Sequence, residues 1–210
     1  KKDWYADYGL HASADAINAG FASPEERTAM YLKSFTDPVQ THSYSPFNQY
    51  FIIRALAAVR DHDGALAAVR RCWGGQLDLG ATSFWEVFRP EWKEFLKPND
   101  AIPNCQCGYV SLCHPWSGGV TKWLHEEILG IRPTLPGFRG YLIQPHLGRV
   151  LSRVSGQVQT PQGLIAAAYD AEAGTFEVNS PPGVTGMIGI PKYTTWFWAF
   201  LFLVLIIVSM

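Results

Sequence analysis

Two consecutive helical segments with opposite burial demands constrain this chain most. Residues 50–59 read YFIIRALAAV, and Arg54 is their only charge. A helix apolar nearly all round belongs on the inside, covered on every side. Ser45-Pro46 opens it, with proline at the first helical position. The segment that follows, capped by Asp63, sets Leu66, Val69 and Trp73 on one stripe and leaves Arg70 and Arg71 outside it. It is a half-exposed helix that stops at Gly74-Gly75. An enclosed helix followed by an amphipathic one is what concentric rings of helices demand, one member inside and its partner outside.

The flanking segments carry the same punctuation. Residues 10–19 are alanine-rich and run to Gly20, a helix stop. Ser23-Pro24-Glu25-Glu26 spells a capping box for a helix reaching Phe35. Residues 117–129 form another helix, with Val120, Trp123, Leu124 and Ile128 on one side, Glu126 and Glu127 on the wet side and Gly130 after it. Beyond Gly130, prolines 133, 136 and 145 exclude helix. Strand-like runs take over at residues 141–144, 150–159, 164–169 and 175–178, with a hairpin loop at residues 170–174. The chain therefore reads as mainly α with a β C-terminal part.

Composition narrows the function classes. With 48% hydrophobic and 17% charged residues, the 210-residue chain has the material for a packed core. A net charge of -1 gives no electrostatic basis for nucleic-acid binding. Eight tryptophans suit a carbohydrate-binding cleft and a large core equally well. The opening KKDWYADYGLHASA has no initiator methionine and no apolar leader, so a chain entered midway is expected. At the other end, residues 196–208 (WFWAFLFLVLIIV) contain nothing polar, and residues 193–210 carry no charge. That length is at the lower limit for a membrane span, about 17–25 residues. A membrane tail anchored by Lys192, Tyr193 and Trp196 stands beside a buried terminus and a translated non-coding extension as readings of this stretch.

Three clusters bear chemistry. GATSFWEVF, residues 80–88, sets one carboxylate, Glu86, against Trp85 and between apolar neighbours. Partial desolvation of such a group suits general acid–base work, and a surface glutamate with its stem on the indole is the plain alternative. SLCHPW, residues 111–116, sets His114 next to Trp116 at a loop-to-helix junction, where an imidazole binds a hydroxyl and an indole stacks on a sugar face. Cys105, Cys107, Cys113 and His114 lie within ten residues, but C-x-C-x5-C-H is not the knuckle spacing of a zinc site. Free buried thiols or one disulfide fit better, and neither metal nor cofactor is assigned. Phosphate-binding glycine loops and serine nucleophile elbows are absent from the sequence. Arg89, Glu91, Lys93 and Glu94 read as a solvated loop.

Taken together these runs resemble the α-L-rhamnosidase family of glycoside hydrolases. The likeness starts near Ser45-Pro46-Phe47 and passes through WGGQLDL into GATSFWE. It takes in SLCHPWSGG, LGIRPTLPGFRGYLIQPHLG and the TPQG turn, then fades after IPKYTT at residues 190–195. The resemblance implies a six-hairpin (α/α) barrel followed by a β-sandwich-like domain. Residues 1–131 would be the C-terminal half of the barrel, 132–195 an incomplete β-domain and 196–210 an apolar tail. It implies inversion at terminal α-L-rhamnosides of rhamnose-containing glycosides by two acidic groups. Glu86 matches the general base, and the general acid is expected upstream of this chain. His114 matches a rhamnose contact, with Trp85 and Trp116 as walls. Two positions depart from the pattern: Val87 stands where many members have arginine, and Cys113 where many have asparagine. A non-catalytic sugar-binding half-barrel, membrane-tethered or truncated, and another six-hairpin glycosidase are the competing readings.

Overall fold

The structure of the protein is a computed structural model that describes residues 9–38, 40–103 and 110–189, and the backbone of 205–209. The chain divides into two compact units, residues 1–121 and 122–210.

In the first unit α1 (Gly9–Asn18) and α2 (Pro24–Ser34) precede the long α3 (Pro46–Ala58). The capping box of α2 is complete: the Ser23 hydroxyl accepts from the Glu26 amide at 3.2 Å, and the Glu26 carboxylate accepts from the Ser23 amide at 2.9 Å. Ser45 differs, because its side chain makes no cap bond and its amide instead donates to the Ser43 hydroxyl. α1 packs on α3, and the Asn18 amide donates to the Phe51 carbonyl at 2.8 Å.

α3 is not enclosed on all sides. Ile52, Ile53, Ala55, Leu56 and Ala57 are buried, whereas Phe47, Arg54 and Ala58 are exposed and Phe51 is half-buried. Those four lie on one helical stripe, and the Arg54 guanidinium holds it open to water, extending over the Tyr50 ring at 5.7 Å.

The next helix also departs from expectation at both ends. Asp61, not Asp63, caps α4 (His62–Val69), its carboxylate accepting from the Gly64 amide at 2.8 Å after Arg60 turns the chain at φ 68°. Gly74-Gly75 does not stop it. The helix runs through a π-helical turn, Arg70–Gly74, into α5 (Gly75–Asp78), and Gly80 at φ 90° ends it. Gly75 serves packing instead: a Cβ there would meet Cζ of Phe88 at 2.2 Å. The charged loop after Arg89 is a 3-10 turn, Pro90–Glu94, pinned by the buried Trp92. α6 (Gly119–Trp123) continues into a second π-helical turn, Leu124–Ile128, and Gly130 at φ 83° closes it. Leu124 lies outside the buried stripe of Val120, Trp123 and Ile128. Glu126 and Glu127 are half-buried rather than on a wet face, each engaged in an ion pair, with Lys122 and Arg132.

The second unit holds β1 (Ile131–Pro133), β2 (Gly140–Ile143), β3 (Arg153–Thr160), β4 (Gly163–Asp170), β5 (Thr175–Asn179), β6 (Thr185–Ile188) and β7 (Leu205–Ser209). One sheet has the order β1-β2-β6, antiparallel then parallel. The other has the order β3-β4-β5-β7, antiparallel up to β5 and parallel at β7. The Asp170 carboxylate caps the β4–β5 turn by accepting from the amides of Glu172 and Ala173, both at 2.9 Å. Ile131, Tyr141 and Ile143 from the first sheet join Ile165, Ala167, Tyr169, Phe176 and Val178 from the second in one apolar cluster. Alternation along β4 buries Ile165, Ala167 and Tyr169 in turn.

A mainly helical chain with a β C-terminal part is thus observed. Among the described residues no helix is long and apolar enough to cross a bilayer. Residues 196–204 of the apolar tail lie outside the described residues, and the backbone of 205–209 is strand.

Candidate functional site

The two motifs singled out by sequence meet in the first unit. The His114 amide donates to the Phe84 carbonyl at 2.7 Å, and the Glu86 amide donates to the Ser111 carbonyl at 2.8 Å. These bonds lay residues 84–86 alongside 111–114. The Glu86 carboxylate is part of the tie, because its Oε2 accepts from the Ser111 amide at 3.1 Å. One carboxylate oxygen is thereby oriented by backbone, and the side chain is half-buried. The Ser83 hydroxyl donates to the Leu112 carbonyl and adds a third link.

Below this pair of segments two buried glutamines bond to the backbone. Gln76, 2% exposed, accepts from the Trp85 amide at 3.1 Å and donates to the Cys72 carbonyl. Burial pushes the Cys72 thiol well above its ordinary pKa, so it is an inert neighbour rather than a nucleophile. On the far side the Phe88 amide donates to the Tyr44 carbonyl at 2.9 Å. His42 Nε2 lies 3.3 Å from the Phe88 carbonyl, and burial lowers the His42 pKa against the opposing pull of that carbonyl. Arg89 lies over the Tyr44 ring at 4.3 Å. Gln49, fully buried, accepts from the Ser43 amide and donates to the Thr41 carbonyl, fixing the segment that carries His42 and Tyr44.

The two tryptophans take different places. Trp85 is 4% exposed and belongs to the core, so it supports the Glu86 loop from beneath rather than lining an open wall. Trp116 is 57% exposed and presents its indole outward. His114 lies against it at 4.4 Å between ring centroids, and Phe47 at 5.3 Å extends the aromatic surface to Phe51. The glycine pair of SLCHPWSGG lets rings approach: a Cβ at Gly118 would sit 3.1 Å from Phe84, and one at Gly119 only 2.7 Å from Tyr50. The structure therefore brings together an oriented carboxylate, an imidazole and an exposed aromatic surface. That set suits proton transfer beside a bound sugar ring.

Sequence spacing does not single out Gln76, Ser111 or His42. Buried polar partners reveal themselves only through their contacts, although Gln76 lies within the WGGQLDL run. Cys105 and Cys107 lie outside the described residues, and Cys113 is a free, exposed thiol.

Comparison with known proteins points the same way. Residues 130–195 match the family model of the bacterial alpha-L-rhamnosidase C-terminal domain. An alpha-L-rhamnosidase of Alteromonas sp. (strain LOR) is 32% identical over 107 residues, covering 51% of this chain and 11% of that protein. The GH78 family rhamnosidase of Bacillus sp. GL1 superposes with a TM-score of 0.63 at 25% identity, over 90% of this chain and 20% of that one. The Streptomyces avermitilis alpha-L-rhamnosidase, solved with L-rhamnose, reaches a TM-score of 0.71 at 20% identity over 87% of this chain and 18% of that one, a likeness of fold alone. The chain spans about a tenth of the length of the Alteromonas relative, 11%. Motifs, fold and relatives agree that the chain resembles the C-terminal portion of the α-L-rhamnosidase family of glycoside hydrolases.

Proposed function

We propose that this chain is the base-bearing part of an inverting α-L-rhamnosidase, acting on terminal α-L-rhamnosides. In this reading residues 1–131 are the C-terminal half of a six-hairpin (α/α) barrel and residues 132–195 a β-sandwich-like domain. Glu86 is the general base, and the general acid lies outside these 210 residues. The observation that carries the reading is the backbone tie between residues 84–86 and 111–114, which unites the carboxylate with the histidine–tryptophan pair.

The chemistry follows from that arrangement. With Oε2 held by the Ser111 amide, the Oε1 lone pairs are directed to accept a proton from water. The water then attacks the anomeric carbon from the face opposite the departing group. Inversion requires a carboxyl separation of about 6.5–9.5 Å to make room for it. His114 donates or accepts a hydrogen bond with a rhamnose hydroxyl, and the exposed Trp116 packs against the apolar side of the ring. Val87 puts an apolar side chain next to Glu86, where many members of the family have arginine.

The test is Glu86→Gln in the full-length enzyme with an aryl α-L-rhamnoside. A kcat lower by about 10²–10⁴-fold is expected. Near-full turnover would sink the role. A non-catalytic sugar-binding protein is the second reading, favoured by the outward-facing Trp116 surface. Rhamnose retention without any turnover by the full-length protein would select it.

A further inference from the structure

The second unit carries an open cleft of about 370 Å³, lined by Lys122, His125, Glu126, Phe138, Gln157 and Gln159 among others. Its size falls within the usual span of small-molecule sites, about 300–1,000 Å³. Gln157 and Gln159 stand two residues apart on β3, so both amides face the same side of the strand, and both are exposed. Gln159 directs its amide nitrogen to the Thr160 carbonyl at 3.2 Å, while the Gln157 side chain bonds to no other described residue. Phe138 is half-buried against the core and adopts φ 58°, a left-handed conformation rare for an aromatic residue. The Pro136–Phe138 turn places Phe138 at the cleft.

The lining has a specific chemical character. Lys122 pairs with Glu126 one helical turn away, so the charges cancel. An anion would find no uncommitted lysine there. Two amides on one face each offer a donor and an acceptor to neighbouring hydroxyls, and an aromatic ring offers a surface to the C–H face of a pyranose. We propose that this cleft is a binding subsite for a neutral carbohydrate of one or two rings. It involves none of the residues of the Glu86 site and does not rest on the proposal of hydrolysis.

Equilibrium dialysis of the 210-residue chain against labelled L-rhamnose, D-glucose and D-galactose tests it, comparing wild type with Gln157→Ala/Gln159→Ala and with Trp116→Ala. The double variant should bind at least one of these sugars about tenfold more weakly, the loss of one to two hydrogen bonds. Trp116→Ala weakens any binding at the Glu86 site and should leave in place the separate component that the double variant removes. Both glutamines are exposed, so thermal melting should not change. Gln157→Lys provides a check through charge: it should weaken the neutral sugar and strengthen D-galacturonate. Binding untouched by the double variant, binding lost only in Trp116→Ala, or none of the three sugars bound by wild type would overturn the proposal.

Discussion

At the scale of single residues, buried polar groups decide how well the Glu86 loop is held. Gln76 is the clearest case, since its amide oxygen is the acceptor for the Trp85 N–H. Gln76→Leu leaves that donor buried without a partner and should destabilise the fold by about 1–3 kcal/mol, measured by urea denaturation. His42 predicts a pH dependence. Burial holds its folded pKa below the ordinary 6.5, and Arg71 adds to the lowering while the Phe88 carbonyl and Glu91 oppose it. The unfolded chain therefore takes up this proton first. The stability linked to His42 is present above the unfolded pKa and is lost as pH falls through 6.5 towards the lower folded value. Urea midpoints should drop over that window in wild type and drop less in His42→Gln. Equal slopes would mean that the imidazole is not desolvated in solution.

At the scale of elements, the caps and close approaches do the positioning. Ser23→Ala removes half of a complete capping box and should cost about 1 kcal/mol. Gly75 is more telling. A methyl group there meets the Phe88 ring, and Phe88 is two residues from Glu86. Gly75→Ala should destabilise by about 1–3 kcal/mol through overpacking. On the proposed role of Glu86, it should also reduce kcat in the full-length protein, by displacing the loop that carries this carboxylate. Unchanged kcat beside a lowered melting temperature would separate fold from positioning. The sequence reads Gly74-Gly75 as a helix stop because glycine usually ends a helix, but here tertiary contact with Phe88 is the stronger demand, and the π-helical turn keeps the helix going.

For the whole molecule, the consequence lies in apolar surface left uncovered. Phe47 touches both Phe51 and Trp116 to form an aromatic patch, and Phe21 (86% exposed) and Leu77 stand out elsewhere on the first unit. Contiguous apolar surface of this kind drives self-association. The 210-residue chain alone should sediment as a mixture of oligomers. Phe47→Ser with Trp116→Ser should shift it towards monomer. A monodisperse wild-type monomer would show that the patch is too small to act.

What the sequence determined by itself is local and periodic. The capping box of α2, the strand at residues 164–169 and the Asp170 turn follow from rules that operate within a few residues, and all three are found as read. The motifs GATSFWE and SLCHPW name two segments that the fold lays side by side. Tertiary structure alone decided the rest. It placed Trp85 inside and Trp116 outside, although both indoles sit beside a candidate polar group. It opened one stripe of α3 around Arg54, and it joined β7 to β5 in parallel across a long separation in sequence. It also tied Glu86 to Ser111, 25 residues away. Periodicity tells which residues need a partner, but not which partner, because burial and hydrogen bonding between distant segments are settled only when the chain closes on itself.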